Sequence, residues 1–182
     1  RLAVELRHES IFSNKKNLNT GMLRKGEQTS WKDNLLNYIR SNYFIPDPRV
    51  FWVKKSIKFL TKYLQEYPVD VIVTNGPPHS MHLIGLGLKK KLGIKWVADF
   101  RDPWTNIDFY HSLKLTKSSD RKHRALEKEV VSSADVVTVV GKSMQEEYLE
   151  YSKNVKVVTN GYDQSIFPKK VVRDSKFSLA HI

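Results

Sequence analysis

The densest chemistry in the chain is a run of six residues, Asp99-Phe100-Arg101-Asp102-Pro103-Trp104, placed directly after a short apolar segment. A guanidinium offers several directed donors in one plane, so Arg101 can hold an anionic or polyhydroxyl ligand while Asp99 and Asp102 fix it. The same residues also fit an architectural role, with Arg101 paired to Asp99 or Asp102 and Trp104 closing the core. A second run, Thr74-Asn75-Gly76-Pro77-Pro78-His79-Ser80, joins an apolar segment to a helix start. Gly76 permits close backbone approach, the prolines stiffen the turn, and a helix start presents free N–H groups. An anionic or hydroxyl-rich ligand suits it; so does a plain helix start in which His79 and Ser80 cap the first amides. The third run, Asn160-Gly161-Tyr162-Asp163, reads on turn chemistry alone as a turn.

Other chemistries are excluded by type or spacing. Gly141-Lys142-Ser143 resembles the end of a phosphate-binding P-loop, but Val136 stands where that motif needs its first glycine. His79 and His82 form an i, i+3 pair without a third metal ligand at helical spacing, so no metal site is expected. The chain has no cysteine, which rules out disulfides and thiol chemistry. No carboxylate pair or Ser-His-Asp arrangement stands at a diagnostic spacing, so nothing supports a hydrolase.

The polar runs need a scaffold, and the apolar pattern supplies one. After Pro68, β-branched runs at Val71 to Thr74, Ile94 to Ala98, Val136 to Val140 and Val155 to Thr159 alternate with helical segments, which predicts a parallel α/β sheet. The first intervening helix should run from Ser80 to Leu92, burying Met81, Ile84, Leu88 and Leu92 and ending on a left-handed Gly93. The next spans about Asp120 to Ser133, and a third starts at Ser143 with a capping-box spacing to Glu146. Before the sheet, a short helix from Ser30 to Phe44 precedes a longer one, opened by Asp47-Pro48 and buried along Val53, Ile57, Leu60 and Leu64. In such a sheet, ligands bind beyond the carboxyl ends of the strands, and Asn75, Arg101, Lys142 and Asn160 should all lie there.

With 182 residues, one domain is expected. The first thirty residues read as a loop with short structure at Ala3 to Leu6, Pro168 to Lys176 as a charged connector, and Phe177 to Ile182 as a last strand. Lys and Arg total 31 against 19 acidic residues, a formal +12 that favours anionic partners, although the charges are scattered. Local clusters are Lys15-Lys16, Lys54-Lys55, Lys89-Lys90-Lys91 and Arg121-Lys122-His123-Arg124. Apolar runs are strand-sized, so no membrane span is predicted.

In order and spacing, the segments Val71–Ser80, Trp96–Trp104, Ala134–Val140 and Val158–Asp163 resemble glycosyltransferases of family 4 with the GT-B fold. The resemblance covers about Trp31 to Ile182 and the N-terminal, acceptor-side half of that fold. It implies a Rossmann-like parallel sheet with flanking helices at residues 1–176, and a stub, 177–182, of the first strand of a C-terminal donor-binding domain. It implies a hexosyl transfer from a nucleotide-sugar donor to a polysaccharide or lipid-linked acceptor, with retention of configuration, without a metal or other cofactor, in the bacterial cytoplasm with peripheral contact at the inner membrane face. Donor binding would belong to the C-terminal domain, so a fragment ending at Ile182 is expected to be inactive. Substrate-binding positions carried by the resemblance are Asn75, Gly76, His79, Asp99, Arg101, Asp102, Asn160, Gly161 and Asp163. The family's catalytic histidine follows the strand matching Val71 to Thr74; Asn75 falls near that place and His79 several residues beyond, so no catalytic residue is assigned. The competing reading of the charge is a noncatalytic basic module for nucleic acid or another polyanion.

Overall fold

The computed structural model describes residues 31–161 and 163. Four parallel strands, β1 (Val71–Gly76), β2 (Lys95–Phe100), β3 (Val136–Val139) and β4 (Val155–Val157), form one sheet in the order β1-β2-β3-β4. Around them lie α1 (Trp31–Tyr43), α2 (Val50–Glu66), α3 (Ser80–Leu92), α4 (Lys117–Ser133) and α5 (Lys142–Leu149). This is the parallel α/β sheet the alternation predicts, and each strand falls within two residues of its expected bounds. The short structure at Ala3 to Leu6, the connector and the last strand lie outside the described residues.

Strand order decides which face is covered. Right-handed crossovers that always step in one direction place their helices on the same side of a sheet. Trp96, Ala98, Phe100, Val137, Val139 and Val155 accordingly point into one buried core, together with Leu86, Val130, Val131, Met144 and Tyr148 from the helices. Residues of the opposite parity, Val71, Val73 and Asn75 on β1, are exposed, and Val97, Asp99, Val136 and Thr138 are half-buried. Among the described residues the sheet thus has a covered face and an open one.

α3 is clamped between the sheet and α2, and two glycines make the fit. A Cβ on Gly85 would meet the Trp96 indole at 2.4 Å, and one on Gly87 would meet Ile57 at 2.3 Å. Gly93 ends the helix at φ 66°, the left-handed cap that glycine permits without steric cost. Ile84 and Leu88 are buried as expected, while Met81 and Leu92 are only half-buried; His82 takes the deepest position, and Ser80 and Leu86 are buried as well.

The helix starts differ from the sequence expectations in instructive ways. Asp47 turns the chain by accepting the Arg49 N–H at 2.9 Å, but α2 begins only at Val50, and the second Asp47 oxygen accepts the Ser80 N–H at 2.8 Å. Asp47 therefore caps α3 across the fold, and neither His79 nor Ser80 caps it locally. α4 starts at Lys117 behind Thr116, whose hydroxyl accepts the Ser119 N–H, so Asp120 lies inside the first turn. α5 starts at Lys142 behind Gly141, which puts Ser143 inside the helix and removes the capping box. The α2 stripe of Val53, Ile57, Leu60 and Leu64 is half-buried rather than buried, since α2 is an outer layer.

Candidate functional site

The sheet register places Asn75 opposite Asp99, and Asp99 opposite Thr138, all of one parity and near the carboxyl ends of their strands. Side chains there form one connected polar row. Asn75 Nδ2 donates to Asp99 Oδ2 at 2.6 Å, and the Thr138 hydroxyl donates to Asp99 Oδ1 at 2.6 Å. Arg101 Nη1 lies 3.7 Å from the same Asp99 oxygen and donates to the Val158 carbonyl at 3.3 Å. Its Nη2 donates to Asn160 Oδ1. The Arg101 backbone N–H also bonds the Gly76 carbonyl at 2.9 Å, which carries the β1–β2 ladder one residue past the strand ends. The row thus runs from the end of β1 to the loop after β4. It lies on the open face, with Asn75 and Asn160 exposed and Asp99 and Arg101 half-buried.

Electrostatically the row is balanced. Asp99 offsets the Arg101 charge, and the two amides flank the pair with donors and acceptors of their own. Such an array matches neutral hydroxyls, each of which donates and accepts, better than a bare phosphate, which only accepts.

Immediately behind Gly76, on the covered face, stands a second cluster with the opposite character. Trp96 Nε1 donates to Thr74 Oγ1 at 2.9 Å, and the same hydroxyl bonds His82 Nδ1 at 2.9 Å. The His82 ring stacks on Phe100 at 4.2 Å, and His79 stacks on Trp104 at 4.8 Å. Trp104 Nε1 donates to His123 Nδ1 at 3.1 Å. Burial holds His79 down at about 4, against an opposing pull from Asp47, and burial together with the neighbouring His79 holds His82 at about 3. Both rings are therefore neutral at ordinary pH. His79 Nδ1 and His82 Nε2 lack hydrogen-bond partners among the described residues, and both crowd Gly76, where a Cβ would stand 2.4 Å from His82 Nε2. Deeper still, buried Glu127 accepts from the Thr105 hydroxyl at 2.5 Å and from the Tyr148 hydroxyl at 2.8 Å.

Of the nine expected site positions, Asn75, Asp99, Arg101 and Asn160 come together in the open row. Gly76 lies beneath it, and its missing side chain makes room for imidazoles rather than for a ligand. His79 belongs to the covered cluster. Asp102 is exposed and outside the row, so Arg101 pairs with Asp99 alone of its two neighbours. Gly161 and Asp163 are exposed beyond β4, and Lys142 is exposed at the start of α5. Sequence reasoning missed Thr138 and the Val158 carbonyl. The signal for Thr138 was available, since it is the hydroxyl in the otherwise apolar β3.

A match to the family model described as Glycosyltransferase Family 4 covers residues 21–165. The chain belongs to this glycosyltransferase family. The polar row and the four strands that carry it lie wholly inside the matched region. Comparison with curated proteins finds no match. Membership makes a sugar donor and an acceptor the general partners of this family 4 domain. Among its described residues no three His, Asp or Glu side chains are grouped to hold a metal ion, and no helix is long and apolar enough to cross a membrane. A hollow of about 340 Å³ between Leu64, Pro68, Asp70, Gly93 and Lys95 lies at the amino ends of β1 and β2, the edge opposite the row.

Proposed function

We propose that this family 4 domain is the acceptor-side wall of a retaining transferase that moves a hexosyl group from a nucleotide-sugar donor to a polysaccharide or lipid-linked acceptor. The observation that carries this is the balanced row Asn75–Asp99–Arg101–Asn160, which joins strand ends of β1 and β2 to the loop after β4 at the edge where parallel sheets bind ligands. Its fixed donors and acceptors orient acceptor hydroxyls without having to reorganise during transfer. Thr138 and Asn75 lock the Asp99 carboxylate, and Asp99 in turn steadies Arg101 against the loop after β4. The donor diphosphate is held by a second domain facing this edge, the reaction needs no metal, and it runs on the cytoplasmic side of a bacterial membrane.

The reading is tested with radiolabelled nucleotide sugars, using the 182-residue chain and the enzyme that carries both domains. Transfer by the two-domain enzyme that persists in a chelator, with retained anomeric configuration and no turnover by the single domain, is the expected result. Robust turnover by the 182-residue chain alone would refute the division of labour.

A further inference from the structure

Both exposed ends of the polar row are asparagines followed by glycine, Asn75-Gly76 and Asn160-Gly161, and they stand in opposite surroundings. In an Asn-Gly pair the glycine nitrogen can attack the asparagine side-chain carbon, because no side chain on the glycine obstructs the approach. At Asn160 the surroundings favour that attack. Arg101 Nη2 donates to Asn160 Oδ1 while its Nη1 donates to the Val158 carbonyl at 3.3 Å, so a held cation polarises the amide carbon and faces the oxygen on which negative charge would gather. Asn160 and Gly161 are exposed and lie beyond β4, the Gly161 N–H has no acceptor among the described residues, and a Cβ built on Gly161 would meet nothing within 4 Å. At Asn75 the surroundings oppose the attack. Its Nδ2, the group that would have to leave, is bound to Asp99 Oδ2 at 2.6 Å, and the carboxylate disfavours a second negative charge beside it. Asn75 and Gly76 are both held in the β1–β2 ladder, the Gly76 carbonyl accepts the Arg101 N–H at 2.9 Å, and His82 Nε2 would stand 2.4 Å from a Cβ on Gly76.

We infer that Asn160 is a site of spontaneous deamidation, activated by Arg101, and that the carboxylate it yields captures the Arg101 guanidinium. The Gly161 nitrogen gives its proton to a base in the solvent and bonds to Asn160 Cγ, which places the negative charge on Oδ1 beside the guanidinium. The Cγ–Nδ2 bond then breaks, ammonia leaves with a proton taken from water, and a cyclic imide closes. Water adds to either imide carbonyl and opens the ring to aspartate or isoaspartate, so the whole reaction consumes water and releases ammonium for each carboxylate formed. The electrostatics of the row change with it. A neutral amide becomes an anion that competes with Asp99 for Arg101, and the balanced row turns net negative, with its charged donor taken up by carboxylates on both sides. Fewer donors then face an acceptor hydroxyl, and transfer falls. This consequence for transfer rests on the transferase reading; the deamidation does not.

The test follows peptide masses over time in the 182-residue chain held in mildly alkaline buffer, with and without guanidinium chloride, and with no sugar donor or acceptor present. In the folded chain Asn160 should convert at least about tenfold faster than Asn75, whereas in denaturant, where the sheet and the Arg101 contact are gone, the two rates should draw together. Arg101→Gln should slow conversion of Asn160 severalfold, and Gly161→Val should nearly stop it; thermal midpoints close to that of the parent chain would show that both variants fold. A folded chain in which Asn75 keeps pace with Asn160 overturns the inference. So does an Arg101→Gln variant in which Asn160 converts as fast as before or faster. Asn160→Asp reproduces one product, and in the enzyme that carries both domains it should lower transfer; normal transfer by that variant overturns the capture of Arg101. Absence of transfer by the unsubstituted two-domain enzyme would count against the transferase reading alone, since the deamidation rates are measured without it.

Discussion

Two polar clusters meet at Gly76, and they differ in nearly every physical respect. The row on the open face is charged, balanced and half-exposed, and it joins side chains from strand ends and loops. The cluster on the covered face is neutral, aromatic and buried, and it joins strand interiors to helices. Asn75 belongs to the first and Thr74 to the second, one residue apart on the same strand. Alternation of side chains along a β-strand is what separates them. The lesson is that a motif such as Thr74-Asn75-Gly76-Pro77-Pro78-His79 is not one site: Asn75 enters the half-exposed polar row on the open face, and Thr74 enters the buried cluster on the covered one.

The comparison breaks most visibly if the covered cluster is damaged. Trp96→Ala removes a fully buried indole together with the donor to Thr74, and should cost about 3–5 kcal/mol, read as a loss of midpoint in urea unfolding. A loss below about 1 kcal/mol would mean that this cluster is not the structural one.

pH sharpens it next. His79 and His82 titrate lower in the folded chain, about 4 and about 3, than the ordinary 6.5 they regain on unfolding. The unfolded chain therefore binds more protons in that interval, and the stability the neutral rings confer is complete above about pH 6.5 and falls as pH drops toward 4 and 3. The loss should deepen steadily across the window, with His82, the more strongly shifted ring, contributing the larger part. Urea midpoints measured between neutral and mildly acidic pH should decline, and His82→Gln should flatten the decline. A flat profile in the wild-type chain would contradict the placement of the rings.

Much of this architecture was legible in the sequence. β-branched runs with helical segments between them gave the parallel sheet, and the polar residues following each run gave the edge at which Asn75, Arg101 and Asn160 meet. Pairing was less legible. Nothing in the spacing of Asp99 and Asp102 decides which one Arg101 takes; the register does, by holding Asp99 between Asn75 and Thr138. Helix starts were misread where the cap is remote, since Asp47 serves a helix 33 residues away. The partners of the lysine cluster were illegible for the same reason: Asp135 and Glu129 lie on other elements. Long-range partners are set by packing, and a local pattern carries no record of them.

The most direct test of the account is Arg101→Ala in the two-domain enzyme that the proposed function calls for, with thermal midpoint and turnover measured on the same preparation. Arg101 and Asp99 are only partly buried, so losing their ion pair should cost about 1 kcal/mol of stability. Removing a charged donor from bound hydroxyls should lower turnover about 10- to 100-fold. A small drop in midpoint with a large drop in transfer is the result the account predicts. A large drop in midpoint with normal activity in the enzyme that remains folded would place Arg101 in the architecture and take the row out of the site.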